Sequence, residues 1–139
     1  MYKKTVKYTN FNGEEKTKDV YFHLSKPELM EMEIATSGSM SDRIKSALAS
    51  KNDESLFMMF KEFLFKAYGV KSTDGEQFEK SEELSRKFEQ SPVYDALYME
   101  LCTNTDAAIE FFTGIIPKDL ADKIDTKGIK EKALQAVNN

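Results

Sequence analysis

The sequence has few of the residues from which disulfide frameworks and metal sites are built. Among 139 residues there is one cysteine, one histidine and no tryptophan. A single cysteine, Cys102, excludes an internal disulfide and a CxxC pair, which favours a reducing compartment. With His23 as the only histidine, a zinc site lacks its usual donors. We therefore expect no metal and no cofactor.

Long apolar runs and blocks of one charge sign are also missing. No segment approaches the roughly 18 apolar residues of a membrane span, and no apolar stretch follows the charged N-terminus. We expect neither membrane insertion nor secretion, and hence a cytoplasmic location. The 20 basic and 24 acidic side chains give a net charge of −4 and are mixed along the chain. Without a basic stripe, nucleic acid is a poor candidate partner.

The remaining candidates for catalysis are Cys102 and two groups of carboxylates, at 28–33 and 76–83. An acid and a base for glycoside or phosphoryl chemistry must face a shared apolar cleft. The first group instead begins a predicted helix, where negative charge stabilises the helix dipole, and the second mixes with basic residues. These features disfavour an enzyme. An enzyme that uses Cys102 or these carboxylates stays open as an alternative.

The first part of the chain carries the pattern of a β-hairpin. Apolar and polar residues alternate in Tyr2–Tyr8 and again in Val20–Leu24, and Asn12-Gly13 between them favours a tight turn. Ser25 and Glu28 then form a predicted capping box, in which each side chain bonds the other's backbone N–H. The hairpin should therefore lead directly into a helix.

The length suits one domain, and the rest of the pattern is mainly helical. We predict an α+β fold, mainly α-helical, over 1–125, with a hairpin over 2–24 and a helical part over 25–125. Beyond it, the Lys-rich segment 126–139 is expected to be a flexible tail. Between 70 and 80 we expect a loop or a small hairpin around Asp74-Gly75. We expect about six helices in all. Helix signals lie near 25–36, 42–49, 53–68, 81–101 (joined at Ser91-Pro92), 105–114 and 117–124, and Gly69 is the predicted left-handed residue at the end of the third.

The segment Glu54–Tyr68 has more apolar residues than one buried helix face needs, ten of its 15 positions. A complete stripe for the core uses Leu56, Phe60, Phe63, Leu64 and Ala67. Either the helix is central and covered on several sides, or one side receives a partner, for which flexible Met side chains are well suited. A second apolar excess follows at Phe111-Phe112 and Ile115-Ile116. As partner-binding residues we predict Phe57, Met58, Met59, Phe65, Tyr68, Phe111 and Phe112.

The order of these parts carries a resemblance to a known family. The stretches that carry it are the hairpin sequence Tyr2–Glu15, then Val20–Glu33, Phe60–Gly69, the Asp74-Gly75 turn and Phe112–Pro117. In this order they resemble the tail assembly chaperones of long-tailed (siphovirus-type) phages and prophages of Gram-positive bacteria. The resemblance spans about Tyr2 to Ile124, and it is the order of the parts, more than any one motif, that is specific.

The resemblance implies a non-catalytic cytoplasmic protein that takes part in virion assembly and is absent from the mature virion. Such a protein binds and solubilises the tape measure protein until tail tube subunits polymerise around it, with the major tail tube protein as a second candidate partner. We also expect a homo-oligomer, because a hairpin edge and surplus Phe and Met are poorly hidden in one copy. The alternatives are a structural head-tail or tail component of a phage and an unrelated cytoplasmic protein-interaction adaptor.

Overall fold

The computed structural model describes residues 1–32, 42–46, 53–122 and 125–138. It begins with the predicted hairpin, whose strands β1 (Tyr2–Thr9) and β2 (Glu15–Phe22) pair antiparallel from Tyr2 opposite Phe22 to Thr9 opposite Glu15. The turn follows from Gly13, which has a φ of +80° and donates its N–H to the carbonyl oxygen of Asn10 at 3.0 Å. The hairpin prediction is confirmed.

Two short strands complete a four-stranded antiparallel sheet of order β1-β2-β3-β4. They are β3 (Tyr68–Lys71) and β4 (Phe78–Glu79), joined by a turn with Gly75 at φ +77°. Of the two alternatives for 70–80, the small hairpin is therefore the one formed. Gly69 was predicted wrongly as a left-handed helix end, since its φ is not positive and it lies within β3. It is needed because a Cβ there would lie 2.6 Å from the Phe78 ring.

The described part of the chain contains eight helices, and the prediction of a mainly helical α+β fold is confirmed. The capping box is present, with Ser25 Oγ accepting from Glu28 N and Glu28 Oε1 accepting from Ser25 N. The predicted helical ends near Thr36, Ala49 and Ile124 lie outside the described residues. The helices are α1 (Lys26–Glu31), α2 (42–46), α3 (Asp53–Ala67), α4 (Glu82–Glu89), α5 (Pro92–Thr103), α6 (Thr105–Gly114), α7 (Lys118–Ala121) and α8 (Thr126–Asn138).

One core joins the sheet to the helices. Phe22 of β2 is fully buried, and its ring lies 5.5 Å from that of Phe111 in α6 and 5.7 Å from that of Phe88 in α4. Helix α5 packs on β1, where Lys4 Nζ lies 2.8 Å from Glu100 Oε1. Because the hairpin alone is only marginally stable, this packing on one face is what holds it in place.

The segment after residue 125 differs from the expected flexible tail. Residues Thr126–Asn138 form α8, and Ile129 and Ala133 are buried on the side that packs on α6. Asp125 Oδ1 accepts a hydrogen bond from Gly128 N at 2.9 Å in the first turn. Two apolar residues four apart lie on one helix face, so even a Lys-rich segment acquires a buried stripe when a neighbouring helix covers it.

Candidate partner-binding surface

Helix α3 has one face in the core, as predicted from its apolar stripe. Phe60, Phe63, Leu64 and Ala67 are buried and Leu56 is half-buried. The apolar residues outside this stripe differ in burial, which the sequence alone did not show. Phe57 and Met58 are exposed, by 39% and 60%.

Three predicted binding residues are part of the core instead, which corrects the expectation that they are available at the surface. They are Met59, which is 4% exposed, and Phe111 and Phe112. Phe111 lies 5.9 Å from Tyr2 of the sheet, whereas the Phe112 ring stacks on Phe60 of α3 at 5.5 Å between centroids. Consecutive residues of α6 thus contact the sheet and α3, so this helix is covered on two sides and uses its whole apolar excess internally.

Phe65 and Tyr68 are intermediate in burial. The Tyr68 ring stacks on Phe88 with 4.1 Å between centroids and an interplanar angle of 3°, and its backbone pairs with Phe22. Burial raises the pKa of the Tyr68 hydroxyl. These contacts give Tyr68 a structural role that its sequence position did not reveal. Because Tyr68 pairs with Phe22, it is the first residue of β3, and α3 ends at Ala67, one residue earlier than predicted.

The exposed side of α3 forms the floor of an open groove of about 770 Å³. Its apolar side chains are Met58, which is exposed, Phe65, which is half-buried, and Met59, which is buried. This surface is called the α3 groove below. Its complete lining is Arg43, Ser46, Ser55, Met58, Met59, Lys61, Glu62, Phe65, Lys66 and Glu89.

Charged side chains surround this apolar floor. Arg43 of α2 pairs with Glu62, and Lys61 Nζ lies 3.3 Å from Glu89 Oε1 of α4. Among the described residues, no carboxylate pairs with Lys66. Sequence reasoning missed Arg43 and Glu89, because no periodic pattern within α3 indicates which residues of other helices stand beside it.

Burial changes the protonation of the single cysteine and the single histidine. Burial raises the pKa of the half-buried Cys102 thiol, which keeps it protonated and a weak nucleophile. Burial, followed by the positive charges of the N-terminus and Lys80, lowers the pKa of His23. Within the described ranges, no three His, Cys, Asp or Glu side chains are grouped to hold a metal ion. No described helix combines the length and apolar character needed to cross a bilayer.

The comparisons with known proteins point to one family. A family model described as phage tail assembly chaperone matches residues 1–139. Searches of curated proteins and of solved structures gave no significant match. The family match extends over the hairpin, the α3 groove and α8 alike, and it agrees with the resemblance in the order of the sequence parts. The chain therefore belongs to the phage tail assembly chaperone family.

Proposed function

We propose that this chain is a non-catalytic chaperone that binds the tape measure protein through the α3 groove and keeps it soluble in the host cytoplasm. It is released when tail tube subunits polymerise around the tape measure protein, and it is absent from the mature virion. The observation that carries the proposal is the apolar floor of the groove, where Met58 is 60% exposed, in a member of this family.

The dimensions of the groove suit a helical partner. Met58 and Phe65 are seven residues apart on α3, which is roughly 10 Å along the axis at 1.5 Å per residue. A partner helix of about two turns would cover this length with anchors at positions i, i+3, i+4 and i+7. A long helical protein offers many such segments before assembly, so several chaperone copies can cover one tape measure protein.

The side chains of the groove suit repeated and reversible binding. Methionine is flexible and polarisable, and it adapts to apolar partners of different shape. The free energy gained is about 25 cal/mol for each Å² of apolar surface buried, so a groove this short binds each segment weakly. Weak individual contacts allow the tail tube subunits to displace the chaperone during polymerisation.

We also propose that the protein self-associates. Strand β1 forms one edge of the sheet, and apolar side chains such as Phe57 and Met58 remain exposed in one copy. Unpaired strand edges and exposed apolar surface both favour association. The partner is then a second copy as well as the tape measure protein.

The test is co-expression with the tape measure protein encoded in the same tail gene cluster. We expect the tape measure protein to move from the insoluble to the soluble fraction and to purify together with this chain. If it stays insoluble while this chain alone is soluble, the proposed function is wrong.

A pair of methionine variants locates the binding surface. Met58→Asp places a charge on the groove floor, whereas Met30→Asp places one on α1, where Met30 is similarly exposed but does not line the groove. Both variants should fold. We expect Met58→Asp to weaken binding at least tenfold, which is about 1.4 kcal/mol of binding free energy, and so to reduce the recovered soluble tape measure protein. Met30→Asp should leave it unchanged. Equal recovery with both variants would reject the α3 groove as the binding surface.

A further inference from the structure

The far end of the β1–β2 hairpin extends away from the core. Every residue from 11 to 19 is exposed, although the strands remain paired throughout. At its turn Phe11 is 81% exposed, the highest value among the large apolar side chains that the structure describes. A large apolar side chain gains roughly 1.5 to 3 kcal/mol when it is buried, and the turn itself does not require an aromatic residue at this position. Phe11 is therefore available for a contact outside its own chain.

The turn that carries Phe11 is held by its own hydrogen bonds. Asn10 Oδ1 accepts from the backbone N–H groups of Asn12 and Glu14, each at 2.9 Å. The backbone of Asn10 donates to the Glu14 carbonyl at 2.9 Å and accepts from Gly13. Phe11 is thus presented at the apex of an ordered loop, and an ordered loop loses little conformational entropy when it docks.

We infer that residues 10–15, called the hairpin tip, dock in the α3 groove of a second copy. Phe11 would lie on the exposed Met58 and the half-buried Phe65, two apolar residues that line that groove. A chain does not fill its own groove with its own tip, because Phe11 is exposed in the isolated chain. The inference rests on the self-association proposed above and names the contact that produces it.

Charge complementarity favours this occupant. The hairpin tip carries Glu14 and Glu15, and the first basic residue after it, Lys16, lies in β2. In the groove, Glu62 and Glu89 are already paired, whereas Lys66 has no carboxylate partner within the described part of the chain. The carboxylates beside Phe11 therefore face an uncompensated positive charge rather than a like charge.

The geometry of the contact is head-to-tail, because the hairpin tip and the α3 groove are different surfaces. Such contacts generate rings or open chains of copies, in contrast to a symmetric dimer in which both copies use the same patch. The tip and the tape measure protein also exclude each other from one groove, so the contact between copies is measured without the tape measure protein.

Sedimentation velocity of the full chain across a concentration series tests the contact with two complementary variants. Phe11→Asp disables binding by the hairpin tip and leaves the α3 groove intact, whereas Met58→Asp disables binding in the groove and leaves the tip intact. We expect each variant alone to self-associate at least tenfold more weakly than the wild type. A mixture of the two should form a one-to-one heterodimer and nothing larger, because one working tip and one working groove remain. Met99→Asp, which changes an exposed residue of α5 outside the groove, should assemble like the wild type.

The possible outcomes separate this contact from the proposed function. If the wild type assembles and Phe11→Asp assembles equally well, or if the mixture does not associate, the tip contact is wrong while self-association stands. If the wild type stays monomeric at every concentration, both the tip contact and self-association are wrong. Co-expression with the tape measure protein then still decides the chaperone function. Circular dichroism checks that each variant folds, and Phe11→Ser replaces Phe11→Asp if the aspartate disturbs the turn.

Discussion

At the residue scale, Lys80 connects three segments that are distant in sequence. Its Nζ donates to the His23 carbonyl and to Glu28 Oε2, both at 2.6 Å, and to the Lys66 carbonyl at 3.2 Å. These acceptors lie just after β2, in α1 and at the end of α3. One ammonium group therefore sets how the hairpin, the first helix and the central helix meet.

Replacing Lys80 tests this role. In Lys80→Met a similar side-chain length remains, but two carbonyls and a carboxylate lose their donor in a largely shielded position. We expect the free energy of unfolding to fall by about 2 kcal/mol, measured by urea denaturation. As a control, Lys87→Met removes an exposed ion pair with Glu83 and should change it by less than about 0.5 kcal/mol. Similar losses in the two variants would contradict the role of Lys80.

Glu28 makes the stability depend on pH. Burial by itself raises the pKa of the Glu28 carboxyl, but hydrogen bonds from Lys80 and from the Ser25 N–H, with the charge of Lys80, hold that pKa below its ordinary value. The folded protein thus binds this proton less readily than the unfolded chain. The resulting stabilisation is present above the ordinary pKa of 4.5 and is lost as the pH falls through the lower folded-state value.

We therefore expect Glu28→Gln to lose less stability than the wild type on acidification. The measurement is the free energy of unfolding in urea from neutral to acid pH, and the curve of the variant should be flatter. Glu83→Gln, which changes an exposed carboxylate of α4, is the matched control. Parallel curves for the wild type and Glu28→Gln would show that Glu28 contributes nothing to the acid sensitivity.

At the element scale, α3 separates two adjacent methionines onto different sides. Met59 is 4% exposed and Met58 is 60% exposed. Met59→Asp would bury an unpaired carboxylate and leave a cavity, for which the loss of methionine alone costs about 2 to 5 kcal/mol. We expect this variant to lose its cooperative thermal transition, whereas Met58→Asp keeps its far-UV helical signal and its transition. The prediction fails if Met59→Asp melts like the wild type.

Helix α8 offers a second test at this scale. Ile129 is buried against α6, whereas Leu134 on the same helix is 63% exposed. Ile129→Ala should lower the free energy of unfolding by about 2 kcal/mol or more, and Leu134→Ala by less than about 0.5 kcal/mol. Urea denaturation measures both. Equal small effects of the two substitutions would indicate that 126–139 is the flexible tail expected from its composition.

At the scale of the whole molecule, the chaperone function and a structural role in the virion make opposite predictions. A chaperone that is displaced by tail tube subunits leaves the particle, whereas a head-tail or tail component remains in it. We expect mass spectrometry of purified phage tails to detect the tube and tape measure proteins and not this chain, while lysate of the producing cells contains it. Stoichiometric amounts of this chain in the tails would support the structural alternative.

The secondary structure was largely predictable because its signals are local. The alternating strands, Gly13 in the turn and the Ser25–Glu28 capping box each involve residues within a few positions of one another. Gly69 and the segment 126–139 were misjudged for the opposite reason. Their structure is set by distant partners, Phe78 for the glycine and α6 for Ile129 of that segment.

Patterns within the sequence are sufficient to predict a mainly helical α+β protein, a surplus of apolar residues on α3 and the order of parts of a tail assembly chaperone. Packing determines which surplus residues are exposed. Met58 lines the α3 groove, whereas Phe111 and Phe112 of α6 are buried against the sheet and α3. Packing also brings Arg43 and Glu89 beside the groove. Periodicity gives the direction of a side chain around its own helix, but burial depends on which other elements cover that side.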